Sequence, residues 1–331
     1  EYSKVRKEYT IRNYETESCG NLYAFVVERS KDILLRYGYI SMIVPISIVS
    51  SERMSPLRKL IKDKIIYSNF DVYPQKLFEN AKQRLTIFIY NEKLSKTFIS
   101  KYLGWYPNER KYLFNKLKYI ELENYDPETE IIKADSKILL SIWNKIISFK
   151  MKIDDFKVNN HINIYFTDAN YYYTKAFKFK PFFMNDLGSD ISSSIKILKV
   201  PNGLEDILCS IINSNLFYLW WLTKSDCRHL EIKDVLEFRL FNLDKNYKFT
   251  IINKLVNLLM ESYNKNSKIK SAKYKTIGLV KYQEFYPRLS KPIIDEIDTV
   301  LAEHYGFTEE ELDFIINYDI KYRMGKQNDE D

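Results

Sequence analysis

Between Asp71 and Ile89 the chain reads DVYPQKLFENAKQRLTIFI. An extended run ends at Pro74, a short polar loop carries Phe78, and RLTIFIY follows as a β-rich run. The pattern predicts a β-hairpin whose tip holds a ring, two amides and two cations: Phe78, Asn80, Gln83, Lys82 and Arg84. A flat, anionic partner suits such a tip, since the ring offers a stacking face and the cations meet negative charge. An ordinary hairpin would instead fold Phe78 back onto its own sheet, as loop aromatics commonly do.

Two other stretches carry similar chemistry. The run NYYYTKAFKFKPFFM (170–184) alternates aromatics with Lys175, Lys178 and Lys180. On a strand, alternation puts rings on one face and cations on the other. Exposed rings would stack on bases while the lysines meet phosphates. An amphipathic strand with snorkelling lysines has the same signature. Further on, Lys224, Arg228 and His229, with Asp226 among them, follow Phe217, Tyr218, Trp220 and Trp221. Those aromatics read as core. The polar turn after them suits base-edge or phosphate contacts, because Arg reads guanine bidentately and His donates to acceptors.

Other chemistries find little support. Cys19, Cys209 and Cys227 have no C-x-x-C pairing and no matching histidines, so neither a zinc site nor a disulfide framework is expected. The three histidines lie far apart in sequence. Glu109-Arg-Lys111 and Glu231-Ile-Lys233 fit a nuclease triplet, but neither has a well-spaced acidic partner, and both are rejected. With eight glycines and no G-x-G spacing, no dinucleotide-type phosphate loop is present. No catalytic residue is assigned.

The elements that must position these residues follow from composition and pattern. At 331 residues, 45% of them hydrophobic, the chain can hold two domains with real cores. No apolar run approaches the roughly 20 residues of a membrane span, and EYSKVRKEYT has no apolar signal core. The expectation is a soluble, cytoplasmic protein or a piece of one. The net charge of +7 is unevenly spread. Residues 1–289 carry 47 basic against 32 acidic side chains, and 290–331 carry 4 against 12, so a body of +15 precedes an acidic tail. A basic body suggests a phosphate-backbone partner; scattered surface lysines are the alternative.

Along the chain, a polar start (1–18) gives way to a helix from Asn21 to Tyr37-Gly38. YISMIVP (39–45) is apolar nearly throughout, like a strand buried on both faces of a parallel sheet. A helix near 52–63, a strand at 64–73 and the 84–90 strand follow. Helix–strand–helix–strand–strand is the pattern of the far end of an open α/β sheet, and the first half of that sheet is not evident. Residues 91–150 read as a helical connector, with TFISKYLGWY as a short strand, NERKYLFNKL as a short helix and an amphipathic helix at 136–149, and with a domain boundary near 151–160. HINIYFT (161–167) and SSIKILKV (193–200) read as strands, 202–214 and 246–264 as helices, and the lysine-rich 265–275 as an exposed linker. Residues 291–306 form a helix ending at Gly306, and Thr308-x-x-Glu311 is a capping box that opens the last one.

Several of these stretches together resemble a family. GNLYAFVVERSKDILLRYGYISMIVPISIVSSERMSPLRKLI resembles the second half of the catalytic domain of adenine-specific DNA methyltransferases. FDVYPQKLFENAKQRLTIFI is similar to their late-sheet hairpin. LEDILCSIINSNLFYLWWLTKSDCRHLEIKDVLEF resembles the target-recognition domain of restriction–modification enzymes with a TaqI-like C-terminal specificity domain, and GFTEEELDFIINYDIKYRMG resembles the end of many such proteins. The resemblance covers nearly the whole chain.

It implies an α/β fold: the second half of an open Rossmann-like methyltransferase sheet (1–90), the connector (91–150), an α/β target-recognition domain (151–289) and a C-terminal helical pair (290–331). It implies site-specific methylation of adenine N6 in double-stranded DNA, with S-adenosylmethionine as methyl donor. The glycine-rich turn and the Asn-Pro-Pro-Tyr loop that this chemistry needs are absent from the sequence. The expectation is therefore a C-terminal fragment, inactive alone, whose catalytic half is supplied in cis or in trans. A stand-alone DNA-specificity subunit is the alternative, and a single-stranded RNA binder using the Tyr/Lys stretch is a third reading. By the resemblance, Phe78 matches the position that supplies a wall for the flipped base. DNA contacts would fall to Lys82, Arg84, Lys175, Lys178, Lys180, Lys224, Arg228 and His229.

Overall fold

The computed structural model describes residues 13–123, 125–156, 161–243 and 249–324. The chain divides into two compact units. One comprises the described residues up to Leu140 together with Leu222–Cys227, and the other Ser141–Trp221 and the described residues from Arg228 onward. The expected boundary near 151–160 thus moves to 140, and a short stretch after Trp221 returns to the first unit. The stretches 1–12 and 157–160 lie outside the described residues. Among the described residues, no helix is long and apolar enough to cross a membrane.

The first unit is built on a mixed five-stranded sheet. Helix α1 (Leu22–Asp32) opens at Asn21, whose side chain accepts a hydrogen bond from the Tyr23 N–H. It ends short of the expected Tyr37-Gly38, leaving Ile33 and Leu35 exposed. Gly38 still has a steric reason to be glycine: a Cβ there would lie 2.7 Å from the Leu34 side chain. Strand β1 (Tyr39–Pro45), helix α2 (Ser55–Ile61), and strands β2 (Ile65–Phe70), β3 (Leu85–Asn91), β4 (Thr97–Leu103) and β5 (Tyr119–Leu122) follow. The order is β1-β3-β2-β4-β5, with β3 antiparallel to both neighbours and β2 parallel to β4.

Two expectations change here. Residues 91–150 are not a helical connector, because β4 and β5 extend the sheet; the helix expected at 136–149 is present as α3 (Lys137–Ser148). Strand β1 is not buried on both faces: Ile40 and Val44 are buried, whereas Tyr39 and Ile43 are exposed. Among the described residues it stands at the end of the sheet, paired only with β3.

A buried cation ties this unit together. Arg58 on α2 is fully buried and donates hydrogen bonds to the carbonyls of Ile48, Ser51, Pro127 and Glu128. Lys133, also buried, donates from Nζ to the Ser225 carbonyl, and its backbone N–H bonds to Thr223. That pair of bonds explains why 222–227 belongs to the first unit.

In the second unit, β6 (His161–Thr167), β7 (Ala176–Phe177) and β9 (Ile195–Pro201) form one small sheet in the order β7-β6-β9. Strands β8 (Phe183–Asn185), β10 (Lys268–Tyr274) and β11 (Gly278–Glu284) form another in the order β10-β11-β8. Residues 265–275, expected as a linker, are therefore largely a paired strand. Gly278, at φ +71°, takes the left-handed backbone where the ribbon turns into β11. Helices α4 (Glu205–Asn213), α5 (Asn215–Lys224), α6 (Phe249–Lys265), α7 (Lys291–Tyr305) and α8 (Glu309–Asn317) are the longer helices from there on.

Asn213 is a packing hub. Its Oδ1 accepts from the Ala176 N–H and the Tyr263 hydroxyl, and its Nδ2 donates to the Ala176 and Cys209 carbonyls. The expected capping box is formed, with Thr308 accepting from the Glu311 N–H and Glu311 from the Thr308 N–H.

Candidate nucleic-acid interface

The hairpin is formed by β2 and β3, in register from Ile65 opposite Tyr90 to Phe70 opposite Leu85. The loop between them is anchored at two points. At its start, the Asp71 carboxylate accepts from the backbone N–H groups of Val72 and Tyr73 and from the Tyr102 hydroxyl at 2.6 Å. Burial pushes the Asp71 carboxyl up to about 6, against the pull of these donors. At its middle, Leu77 is buried with Phe70, Leu85, Leu103, Trp105 and Leu113. The Leu77 carbonyl accepts two hydrogen bonds from Arg110, whose guanidinium also lies over the Trp105 ring at 5.3 Å. The loop residue that packs onto the core is thus Leu77, and not its neighbour Phe78. Phe78 remains 45% exposed on a loop whose backbone is held beside it.

The two loop cations have different surroundings. Lys82 is exposed. Arg84 is half-buried at the base of the loop, and its Nε is buried without a hydrogen-bond partner. Burial works against its charge, but Tyr102, Cys227 and Asp71 outweigh this and raise its pKa above the usual value. Arg84 therefore balances Asp71 inside the unit rather than extending from the tip.

The 170–184 stretch is not one continuous strand. Only Ala176–Phe177 and Phe183–Asn185 pair, in different sheets. Phe177 is buried against Phe179, Tyr263 and Phe285. Lys178 is paired with Asp206 and Lys180 with Asp190. Lys175 is half-buried, and burial lowers its pKa to about 8. Tyr173 and Phe177 pack inward, Tyr171 and Phe182 stay about half exposed, and Lys178 and Lys180 are matched by acids, which is how an amphipathic segment behaves.

The division of the chain separates the third group. Lys224, the last residue of α5, belongs to the first unit, and Arg228 and His229 to the second. Arg228 is exposed. His229 Nδ1 lies 3.6 Å from an Asp168 oxygen that is also 4.0 Å from Lys196 Nζ. Trp220 and Trp221 are buried, as the aromatic wall implied.

One basic surface is not anticipated by the sequence pattern. On the β10–β11 ribbon, Lys268, Lys273, Lys275 and Lys281 are exposed, while Lys270 is paired with Glu284. Lys273 stands opposite Leu279 and Ser271 opposite Lys281, so Lys273 and Lys281 share one face. The alternation in KIKSAKY was the available signal, masked by its high charge. Among the described residues, no cluster of His, Cys, Asp and Glu is arranged to hold a metal ion. No protein-family model matches the chain, and no curated protein matches it.

Proposed function

We propose that this chain provides DNA recognition and one wall of a flipped-adenine pocket for a site-specific adenine-N6 DNA methyltransferase. The S-adenosylmethionine site and the Asn-Pro-Pro-Tyr loop would come from a catalytic half acting in cis or in trans. In that reading β1–β5 are the late part of an open Rossmann-like sheet, and the second unit is the target-recognition domain. The observation that carries it is Phe78, an exposed ring on an anchored hairpin loop. An enzyme that extrudes a base loses stacking energy and needs aromatic surface to recover it. Among the described residues β1 ends the sheet, and that edge suits further strands added from the catalytic half.

Two results test this reading. In the presence of the catalytic half, Phe78→Ala lowers the methylation rate by about 5- to 100-fold, the equivalent of about 1–3 kcal/mol of base stacking. Its melting temperature stays at the wild-type value, since the ring contributes little to the core. A variant that methylates and binds DNA like wild type would remove the role given to Phe78. Secondly, duplex DNA binding followed by fluorescence anisotropy weakens steeply with salt. Lys273→Gln/Lys281→Gln reduces the salt slope by about 2, close to one unit for each phosphate that is no longer neutralised. Absence of duplex binding at low salt would overturn the recognition assignment.

A further inference from the structure

The second unit contains a cleft of about 310 Å³, of whose lining residues the methyltransferase resemblance uses only Lys175. Its walls are aromatic, and Tyr171 and Tyr286 both line it, the first half exposed. Lys175 and Arg288 line the same cleft. The Lys175 ammonium makes no hydrogen bond to any described residue. The exposed Arg288 spends one donor on the Met324 carbonyl, leaving others of its five.

The surrounding groups are fixed. Buried Arg323 sits over the Tyr173 ring at 4.3 Å and the Tyr218 ring at 4.7 Å. It donates to the carbonyls of Tyr172 and Tyr318 and to the Asn215 side chain. Tyr286 donates to Glu284, which also receives Lys270. Glu284, the acid that acts on Lys175, is therefore already engaged by Tyr286 and Lys270, which leaves the Lys175 charge in want of an anion. Consistent with this, burial brings the Lys175 pKa down to about 8 against the pull of Glu284.

We propose that this cleft binds a nucleoside phosphate, with the base against Tyr171 and Tyr286 and the phosphate between Lys175 and Arg288. Flat rings suit a base, whose π-face every nucleotide offers. Two cations with donors that no described residue takes suit a phosphate dianion, Arg by its fork and Lys as a point charge. The cleft is at the lower end of the volumes that hold small ligands, which fits a mononucleotide. The same chemistry is presented by a free nucleotide and by the phosphorylated end of a strand. The assignment is independent of the flipped-base role of Phe78, which lies in the first unit.

The test is calorimetric titration of the full chain with AMP, adenosine, phenyl phosphate and a 5′-phosphorylated single-stranded DNA hexamer. AMP is expected to bind at least about tenfold more tightly than adenosine, the worth of a charge-assisted contact. Lys175→Met and Arg288→Met should each weaken AMP by about tenfold without changing the melting temperature, and Lys175→Arg should restore most of the loss. Tighter binding of the hexamer than of AMP assigns the site to a strand end, and the reverse assigns it to a free nucleotide. The proposal is overturned if AMP does not bind, or if adenosine or phenyl phosphate binds as well as AMP. It is equally overturned if the Lys175 and Arg288 variants bind AMP like wild type. Duplex binding through the β10–β11 lysines would survive every one of these outcomes, so the two readings fail separately.

Discussion

Replacing Arg58 by methionine is expected to destabilise this chain by about 2–4 kcal/mol, the cost of leaving buried carbonyls without donors. Arg58 is fully buried, and its guanidinium reaches two stretches far apart in sequence. It donates to Ile48 and Ser51 on one side and to Pro127 and Glu128 on the other. Burial lowers its pKa, yet an arginine keeps its charge across the physiological range, so the carbonyl oxygens are what compensate it. Methionine fills much of the same volume and removes the buried charge, which offsets part of the loss. The Ile48, Pro127 and Glu128 carbonyls are then left without this donor, whereas Ser51 still accepts from the Met54 N–H. Lysine is not expected to rescue the variant, because one ammonium lacks the planar fork that spans both segments. Urea denaturation measures the effect. An unfolding free energy within about 0.5 kcal/mol of wild type, the range of an ordinary surface change, would mean that water replaces the guanidinium at little cost.

Stability should also fall as pH rises from about 4 to about 7, by about 4 kcal/mol from Asp298 alone. Asp298 on α7 is 1% exposed, and burial pushes its carboxyl up to about 7. The N–H groups of Asn215 and Leu216 and the Asn215 side chain donate to it and hold that rise back, while Asp295 adds to it. In the unfolded chain the same carboxyl titrates near 3.9. Below that value both states carry the proton. Between about 4 and about 7 the folded state keeps a proton that the unfolded chain has released, so each step up in pH favours unfolding. Above about 7 both are ionised and the loss is complete. Asp71, pushed up to about 6, acts with the same sign over a narrower window. Asp298→Asn should flatten the pH dependence while lowering stability near pH 5, because N–H donors face both oxygens of the carboxyl and the amide would turn an NH2 group toward one of them. Unfolding free energies at pH 4.5, 6 and 7.5 decide the matter. A wild-type stability that climbs over this range, or a variant that tracks it, would overturn the assignment to Asp298.

Local pattern was enough wherever the physics is local. HINIYFT is a strand with the predicted ends, Gly306 closes α7 in the left-handed region, and Thr308 and Glu311 cap α8 reciprocally. The hairpin between 65 and 91 was legible from two β-rich runs around a polar loop. The lysine-rich 265–275 stretch carries the charge of a linker yet forms β10, because a ribbon strand that stays largely exposed needs little apolar content. The strand in TFISKYLGWY is legible as β4, but its place in the sheet is not: its pairing with β2 and with β5 is a non-local contact that no window of sequence contains.

The fate of individual site residues was decided by packing between distant segments. In the loop, Leu77 and Phe78 are both apolar neighbours, and the Phe70–Trp105–Leu113 cluster took Leu77 and left Phe78 exposed. Arg84 and Lys82 look alike in sequence, but only Arg84 lies beside buried Asp71. Lys178 and Lys180 met acids from elsewhere in the chain, whereas Lys175 lines a cleft with aromatic walls. Residue identity and short-range spacing sufficed for most element types, for the basic body with its acidic tail, and for the absence of a glycine-rich phosphate loop. Which cations remain available to a partner was settled by the folded arrangement, because a charge is spent or spared by neighbours brought close from distant parts of the chain.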